Sequence, residues 1–214
     1  DWIVSRYADK ILDIIKRDKK SIQRIEFLIE DFDLKKNKTN LPKDNRVSLI
    51  ENSILNYNRF NTNYSFEKFM VGNGNELAHT AAKKICTNSS HYNPLFIYSD
   101  VGMGKTHLLN AIGLEIGSKK KVMYISAERF MYHFIRSIRS NEMVKFKDFF
   151  RTSNVFIIDD IQFVGGKEAM QEEFFHTFNA LMERNSQIVV SSDRSPSNLD
   201  RIQERIKSRL SGGL

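Results

Sequence analysis

The feature that most constrains this chain is a regular alternation of short apolar runs and amphipathic stretches, without internal repeat of sequence. The runs are Leu95–Tyr98 and residues 122–125, 155–158 and 188–190, rich in β-branched and aromatic residues. Runs apolar at every position suit strands buried on both faces, as in a parallel sheet. Between them lie segments at helical spacing, the clearest at residues 168–184, where Phe174, Phe175, Phe178, Leu181 and Met182 form one stripe. Strands joined by helical crossovers predict an α/β fold, a parallel sheet with helices on both faces. A chain of 214 residues, 41% of them apolar, holds one such domain and something smaller.

The smaller part precedes residue 64. Ile3, Tyr7, Ile11, Ile14 and Ile15 recur at helical spacing, and Ile25, Phe27 and Ile29 alternate as in a strand. Residues 33–63 then hold eight asparagines and six Lys/Arg with no sustained period, the composition of a polar linker. The expected organisation is a small α+β segment at 1–32, a linker at 33–63 and the main domain at 64–214. Several classes are excluded. The single cysteine, Cys86, builds neither a disulfide framework nor a cysteine metal cage, and points to a reducing compartment. No apolar run approaches the ~18 residues of a membrane span, and residues 1–3 show no secretory leader. The net charge of +7 suits an anionic partner.

The ends of the apolar runs carry the chemistry. Leu95–Tyr98 leads into Ser99-Asp100-Val101-Gly102-Met103-Gly104-Lys105-Thr106 and then a helix, the strand–loop–helix setting of a phosphate-binding loop. Gly102 and Gly104 free backbone N–H groups to face phosphate oxygens, Lys105 supplies a point charge, and the Thr106 hydroxyl suits Mg²⁺. Residues 155–158 end in Asp159 and Asp160, the pattern of a Walker B strand. There Asp159 is placed to hold Mg²⁺ and Asp160 to polarise an attacking water. Ser191, Ser192, Asp193 and Arg194 close the last run, at the same sheet edge, either as γ-phosphate sensors or as turn formers. Arg205 and Arg209 share one helix face, either a solvated basic surface or cations offered to a neighbouring subunit. Between the second and third runs, Arg129, Arg136, Arg139, Lys145, Lys147 and Arg151 interleave with Phe130, Phe134, Ile135, Ile138, Phe146, Phe149 and Phe150. Cations beside aromatics suit single-stranded nucleic acid, though most of these aromatics are expected in the core.

Taken together these residues resemble the DnaA-type bacterial replication initiators of the AAA+ ATPase class. The resemblance runs through Tyr64, Phe66, Phe69, Gly72 and Asn75, then Gly102 to Leu109, Ile158 to Phe163, Gln171 to Asn179 and Ser192 to Arg194, and covers about residues 64–214. Residues 1–32 are similar to the end of the family's N-terminal interaction domain, with the variable linker after it. The resemblance implies an ATP-binding initiator that assembles on origin DNA, promotes strand opening and helps load the replicative helicase, in the bacterial cytoplasm at the nucleoid. Hydrolysis would be a slow switch. Carried over by position, Val71, Gly72, Asn75, His79, Gly102, Met103, Gly104, Lys105, Thr106 and His107 would bind ATP, with Thr106 and Asp159 on Mg²⁺. Asp160, Asp193 as sensor I and Arg209 as arginine finger would serve hydrolysis, and Arg205 with Arg209 would lie between subunits of a filament. Ile135, Arg136, Lys145 and Lys147 would face single-stranded origin DNA, and duplex boxes would be read only through a C-terminal domain beyond this sequence.

The sequence also departs from the family pattern. Ser99-Asp100 stands where the family has two glycines, which predicts strain at the loop entry and a carboxylate turned from the phosphates. Ala169 replaces a basic residue of some relatives, and residues 210–214 lack the family's usual aromatics. By resemblance the chain also stops before the last core strand and the helical lid, which leaves Leu95–Tyr98 at a sheet edge. Two other readings share these residues: a helicase loader or initiator regulator of the same fold, and a non-hydrolysing module that contacts single strands or helicase.

Overall fold

The computed structural model describes residues 60–87 and 92–214. The expected segment at 1–32 and most of the linker at 33–63 lie outside the described residues. Four strands form one parallel sheet: β1 (Leu95–Tyr98), β2 (Val122–Ser126), β3 (Val155–Asp159) and β4 (Gln187–Ser192), in the order β1-β4-β3-β2. Each apolar run thus becomes a strand: β1 matches its run, β2 and β3 gain one flanking polar residue each, and β4 gains three. Among the described residues six α-helices flank the sheet: α1 (Glu76–Cys86), α2 (Lys105–Gly117), α3 (Ala127–Arg139), α4 (Met143–Arg151), α5 (Glu168–Glu183) and α6 (Glu204–Leu210). Among the described residues no helix is long and apolar enough to cross a membrane.

Alternation along the strands sorts side chains to two cores. Leu95, Ile97, Val122, Val155, Ile157 and Val189 pack with Ala81, Ile85, Leu108, Leu109 and Ile112 of α1 and α2. Phe96, Met123, Phe156, Ile158, Ile188 and Val190 face the other side, with α3 to α6. The second core is largely aromatic. Phe130 of α3 is fully buried, with ring centroids 5.0–6.4 Å from Phe146, Phe150, Phe156 and Phe174. Most aromatics of the basic α3–α4 stretch are therefore core residues. A cavity at Phe130 would cost about 3–5 kcal/mol.

The strand order fixes where a ligand can sit. The chain crosses from β1 to the far edge at β2 and returns through β3 to β4, so β4 lies between β1 and β3. The loop after β1 and the acids after β3 therefore flank the end of one strand, the crevice at which open α/β sheets bind ligands. As expected, β1 is the edge strand. Its open side pairs with the chain end: Phe96 N–H donates to the Leu214 carbonyl at 2.8 Å, and Leu214 N–H to the Pro94 carbonyl at 3.1 Å.

Candidate functional site

The loop after β1 needs backbone angles that few residues take. Gly102 and Gly104 have φ of 83° and 90°, in the left-handed region where glycine carries no Cβ penalty. The ring of Phe69 lies close over Gly104, and a Cβ there would come within 3.1 Å of it. Ser99 and Asp100 are different. Neither is among the described residues with positive φ, so the expected strain at the loop entry is absent, and the backbone at 99 and 100 does not require glycine. Their carbonyls are used instead: Lys105 Nζ donates to Ser99 O at 2.7 Å and to Asp100 O at 2.9 Å. The loop thus holds the ammonium at the N-terminus of α2, where the helix dipole favours an anion.

Across the end of β4, the Asp159 carboxylate is buried and fully engaged. Thr106 Oγ1 and Tyr124 Oη both donate to its Oδ2 at 2.9 Å, and Ser191 Oγ donates to Oδ1. Ser191 also accepts from Asp160 N–H at 2.8 Å, so one hydroxyl joins both acids. Asp160 sits at φ 59°, a left-handed angle that aspartate tolerates better than most residues. Its carboxylate accepts from Gln162 Nε2 at 3.1 Å, while Gln162 Oε1 accepts from Ser192 Oγ at 3.1 Å. Burial pushes the Asp160 carboxyl above the usual carboxylate range, partly offset by the Gln162 bond. A more basic carboxylate is better suited to take a proton from water. Thr106 and Asp159 supply a hydroxyl and a carboxylate oxygen already in contact, the hard oxygen donors that Mg²⁺ takes. Among the described residues no cluster of three metal-ligating side chains exists, so phosphate oxygens and water would complete such a cation's shell.

Lys105, Thr106, His107, Asp160, Gln162 and Asp193 line one open cleft of about 600 Å³, with Tyr64 at its rim. Asp193 is gripped by Arg194, whose Nε and Nη2 each lie 3.0 Å from its carboxylate and hold its pKa below the ordinary range. His107 is fixed in the cleft wall: its Nε2 lies 2.8 Å from the Ser65 carbonyl and its ring stacks on Tyr64 at 5.0 Å. On the other side of the loop, Phe69, Asn75, Ala78, Met103 and Gly104 border a smaller recess. Val71 and Gly72 are exposed beside it. Asn75 ties this turn together, accepting from Gly72 N–H at 2.8 Å and donating to Met70 O at 3.0 Å. His79 stacks parallel to Phe69 at 5.8 Å, and burial, with Lys83 nearby, lowers its pKa.

The second group of expected residues lies apart. On α3, Tyr132, Ile135 and Ile138 are 58%, 41% and 54% exposed, and Val144 on α4 is 72% exposed. Arg136 is half-buried and interacts electrostatically with Glu142 without a direct ion pair. Lys145 and Lys147 do have partners: Lys145 pairs with Glu142 at 3.0 Å, and Lys147 with the buried Glu173 at 3.6 Å. Glu173 also takes Arg151 at 2.8 Å, pinning α4 to α5. On α6 the Arg205 guanidinium lies 4.6 Å from the Phe175 ring centroid, and Arg209 is exposed.

Sequence reasoning missed Tyr124, Gln162 and Arg194 as partners of the acids, and Glu173 as an anchor. For Tyr124 one signal was available: a hydroxyl within an otherwise apolar run.

Comparison with known proteins agrees with this geometry. The family model of the bacterial DnaA ATPase domain matches residues 60–214. The chain is 44% identical over 224 aligned residues to chromosomal replication initiator protein DnaA of Rickettsia rickettsii, covering all of this chain and 48% of that protein. It thus spans about half the length of the curated relatives it matches. Domain III of the Thermotoga maritima replication initiation protein DnaA superposes with a TM-score of 0.71 at 42% identity, covering 73% of this chain and 67% of that one. A DnaA bound to AMPPCP and single-stranded DNA gives 0.71 at 40% identity, covering 72% and 49%. A DnaC helicase loader, at 18% identity and a TM-score of 0.56, shares the fold alone.

Proposed function

This chain belongs to the bacterial DnaA ATPase-domain family, and we propose that it is the nucleotide-controlled core of a chromosomal replication initiator. One observation carries the reading. A phosphate loop, a paired acid site and a basic helical hairpin with exposed apolar side chains stand on one α/β sheet, the hairpin inserted between β2 and β3. A nucleotide site alone suits any ATPase of this fold. The hairpin adds a surface that a single-stranded polyanion fits, through phosphate neutralisation and apolar contact with bases.

In this reading Gly102, Gly104, Lys105 and Thr106 hold the phosphates of ATP. Residues 71–79 and Met103 border the base, and His107 forms part of the cleft wall. Thr106 and Asp159 ligate Mg²⁺, Asp160 orients the attacking water in a slow hydrolysis step, and Asp193, held by Arg194, reads the terminal phosphate. Arg209 reaches a neighbouring subunit's nucleotide while Arg205, held over Phe175, shapes that interface. Heterologous contacts of this kind extend into a filament when rotation does not close. Ile135 and Arg136 meet single-stranded origin DNA, and Lys145 and Lys147 add charge beside it. Residues 1–32 and 33–63 then correspond to the end of an interaction domain and a linker, a reading supported by alignment with the relative across all of this chain. The further proposed partners are the replicative helicase and other copies of the protein, at the nucleoid in the cytoplasm.

The test is binding of a labelled single-stranded oligonucleotide, with and without a non-hydrolysable ATP analogue. The reading predicts tighter binding with the analogue, lost in Lys105→Ala and weakened in Ile135→Ala. Binding indifferent to nucleotide and to Lys105→Ala would favour a plain single-strand or helicase contact module.

A further inference from the structure

The metal half of the site is connected to the first described residues of the chain. The Phe60 ring lies on Gly113 of α2, where a Cβ would overlap it, and sits 5.9 Å from the Tyr124 ring. Next to it, Asn61 N–H donates to Asn110 Oδ1 at 3.1 Å. Asn110 is buried on α2, and its Nδ2 donates to the Thr106 carbonyl at 2.8 Å. Thr106 and Tyr124 then meet on the same oxygen of Asp159. Two routes therefore lead from one turn to one carboxylate oxygen. The first runs through the Phe60 ring and Tyr124, the second through Asn61, Asn110 and Thr106.

We propose that Tyr124 and Asn110 are positioning residues for the Mg²⁺ half of the nucleotide site, and that the turn at Phe60 and Asn61 is the clasp that holds them. The proposal rests on the nucleotide-binding reading above. Its physical basis is the cation's demand for near-ideal octahedral oxygen geometry, which makes the orientation of two side-chain ligands consequential. When Thr106 turns its hydroxyl to the cation, Asp159 Oδ2 loses one donor. Tyr124 remains, fixing the carboxylate plane, and Asn110 fixes the start of α2 from which Thr106 projects. Because the clasp closes the segment expected as linker, its docking sets how much Mg²⁺ adds to nucleotide affinity. Release of the turn would weaken metal-dependent binding while leaving the phosphate loop itself intact.

The test measures affinity of the 214-residue chain for a fluorescent ATP analogue in Mg²⁺ and in EDTA. Tyr124→Phe removes only a hydroxyl. It is expected to weaken binding in Mg²⁺ about tenfold and in EDTA by less than about twofold, as outer partners of metal ligands do. Phe60→Ala is expected to lower the same Mg²⁺-to-EDTA ratio. Combining the two should lower it little beyond Tyr124→Phe alone, since both act on Asp159 through Tyr124. The ratio is read within each variant, so a general loss of stability does not imitate the effect. Equal losses in both buffers, or an unchanged ratio in Tyr124→Phe, would overturn the proposal while wild-type binding upheld the nucleotide reading. Failure of the wild-type chain to bind in either buffer would overturn both.

Discussion

The nucleotide cleft and the outer face of the α3–α4 hairpin spend their polar groups in opposite ways. At the cleft each acid is engaged before any ligand arrives: Asp159 accepts from three hydroxyls, Asp160 from an amide, and Lys105 is held by two carbonyls. On α3, Tyr132, Ile135 and Ile138 face solvent, and half-buried Arg136 acts on Glu142 without a direct ion pair. A small rigid ligand with a cation rewards preorganisation, because misplacement of a single group costs affinity directly. A flexible polyanion rewards accessible charge and apolar surface along its length. The two regions also sit on different supports. The cleft crowns the sheet, whereas the hairpin stands on an aromatic core that it shares with β3 and α5.

That contrast can be broken in several places. The largest expected effect on binding is at the nucleotide site: Lys105→Ala should weaken an ATP analogue by about 2–5 kcal/mol, as truncating one partner of a hydrogen-bonded charge pair does. Oligonucleotide binding without nucleotide should be unaffected. The next tests the shared support. Phe130→Ala should cost about 3–5 kcal/mol in denaturant unfolding and loosen both regions together. Selective loss of oligonucleotide binding with unchanged stability would make the hairpin a separate module.

A third prediction concerns His133, buried on α3 with its Nδ1 unpartnered. Burial, then Arg136 and Arg129, lower its pKa to about 4 from 6.5. The unfolded chain therefore binds the proton more readily, and stability falls as pH drops from about 6.5 towards 4. The loss should be about 3 kcal/mol, and His133→Leu should abolish that part of the acid dependence. The fourth separates the partners by salt. Ile135→Ala should reduce oligonucleotide affinity several-fold with an unchanged salt slope, whereas Arg136→Ala should lower the slope by about one. Neither should alter nucleotide affinity. The smallest effect belongs to the loop entry, where Ser99→Gly with Asp100→Gly should change nucleotide affinity by less than about twofold, since neither backbone needs glycine.

What the sequence disclosed follows the same division. The loop at 99–106 and the acids at 159 and 160 are legible because their chemistry is written at fixed spacing behind apolar runs. The parallel sheet with helices on both faces follows from continuous apolarity and helical crossovers, whereas the order β1-β4-β3-β2 is seen only in the fold. Tyr124 was not legible because it reaches Asp159 through register: it pairs with Ile157, so it shares a face with the acid two residues on. Asn110 and Gln162 look like ordinary polar residues until the fold brings Thr106 and Asp160 to them. Glu173 occupies a polar position of an amphipathic helix, and only the packing of α4 shows that the position is interior. Departures from a motif were also hard to weigh. Ser99-Asp100 reads as a defect beside a glycine pair, yet what holds Lys105 is the two carbonyls, which any amino acid supplies, and the Ser99 hydroxyl adds only a 3.4 Å bond to the Asp100 carbonyl.

The most direct test of the account is equilibrium binding of a fluorescent ATP analogue with Mg²⁺ to this chain, to Lys105→Ala and to the Ser99→Gly, Asp100→Gly pair. The account predicts micromolar or tighter binding by the chain and by the double-glycine variant alike, and its loss in Lys105→Ala. Binding that appears only after the glycines are restored, or that survives removal of Lys105, would contradict it.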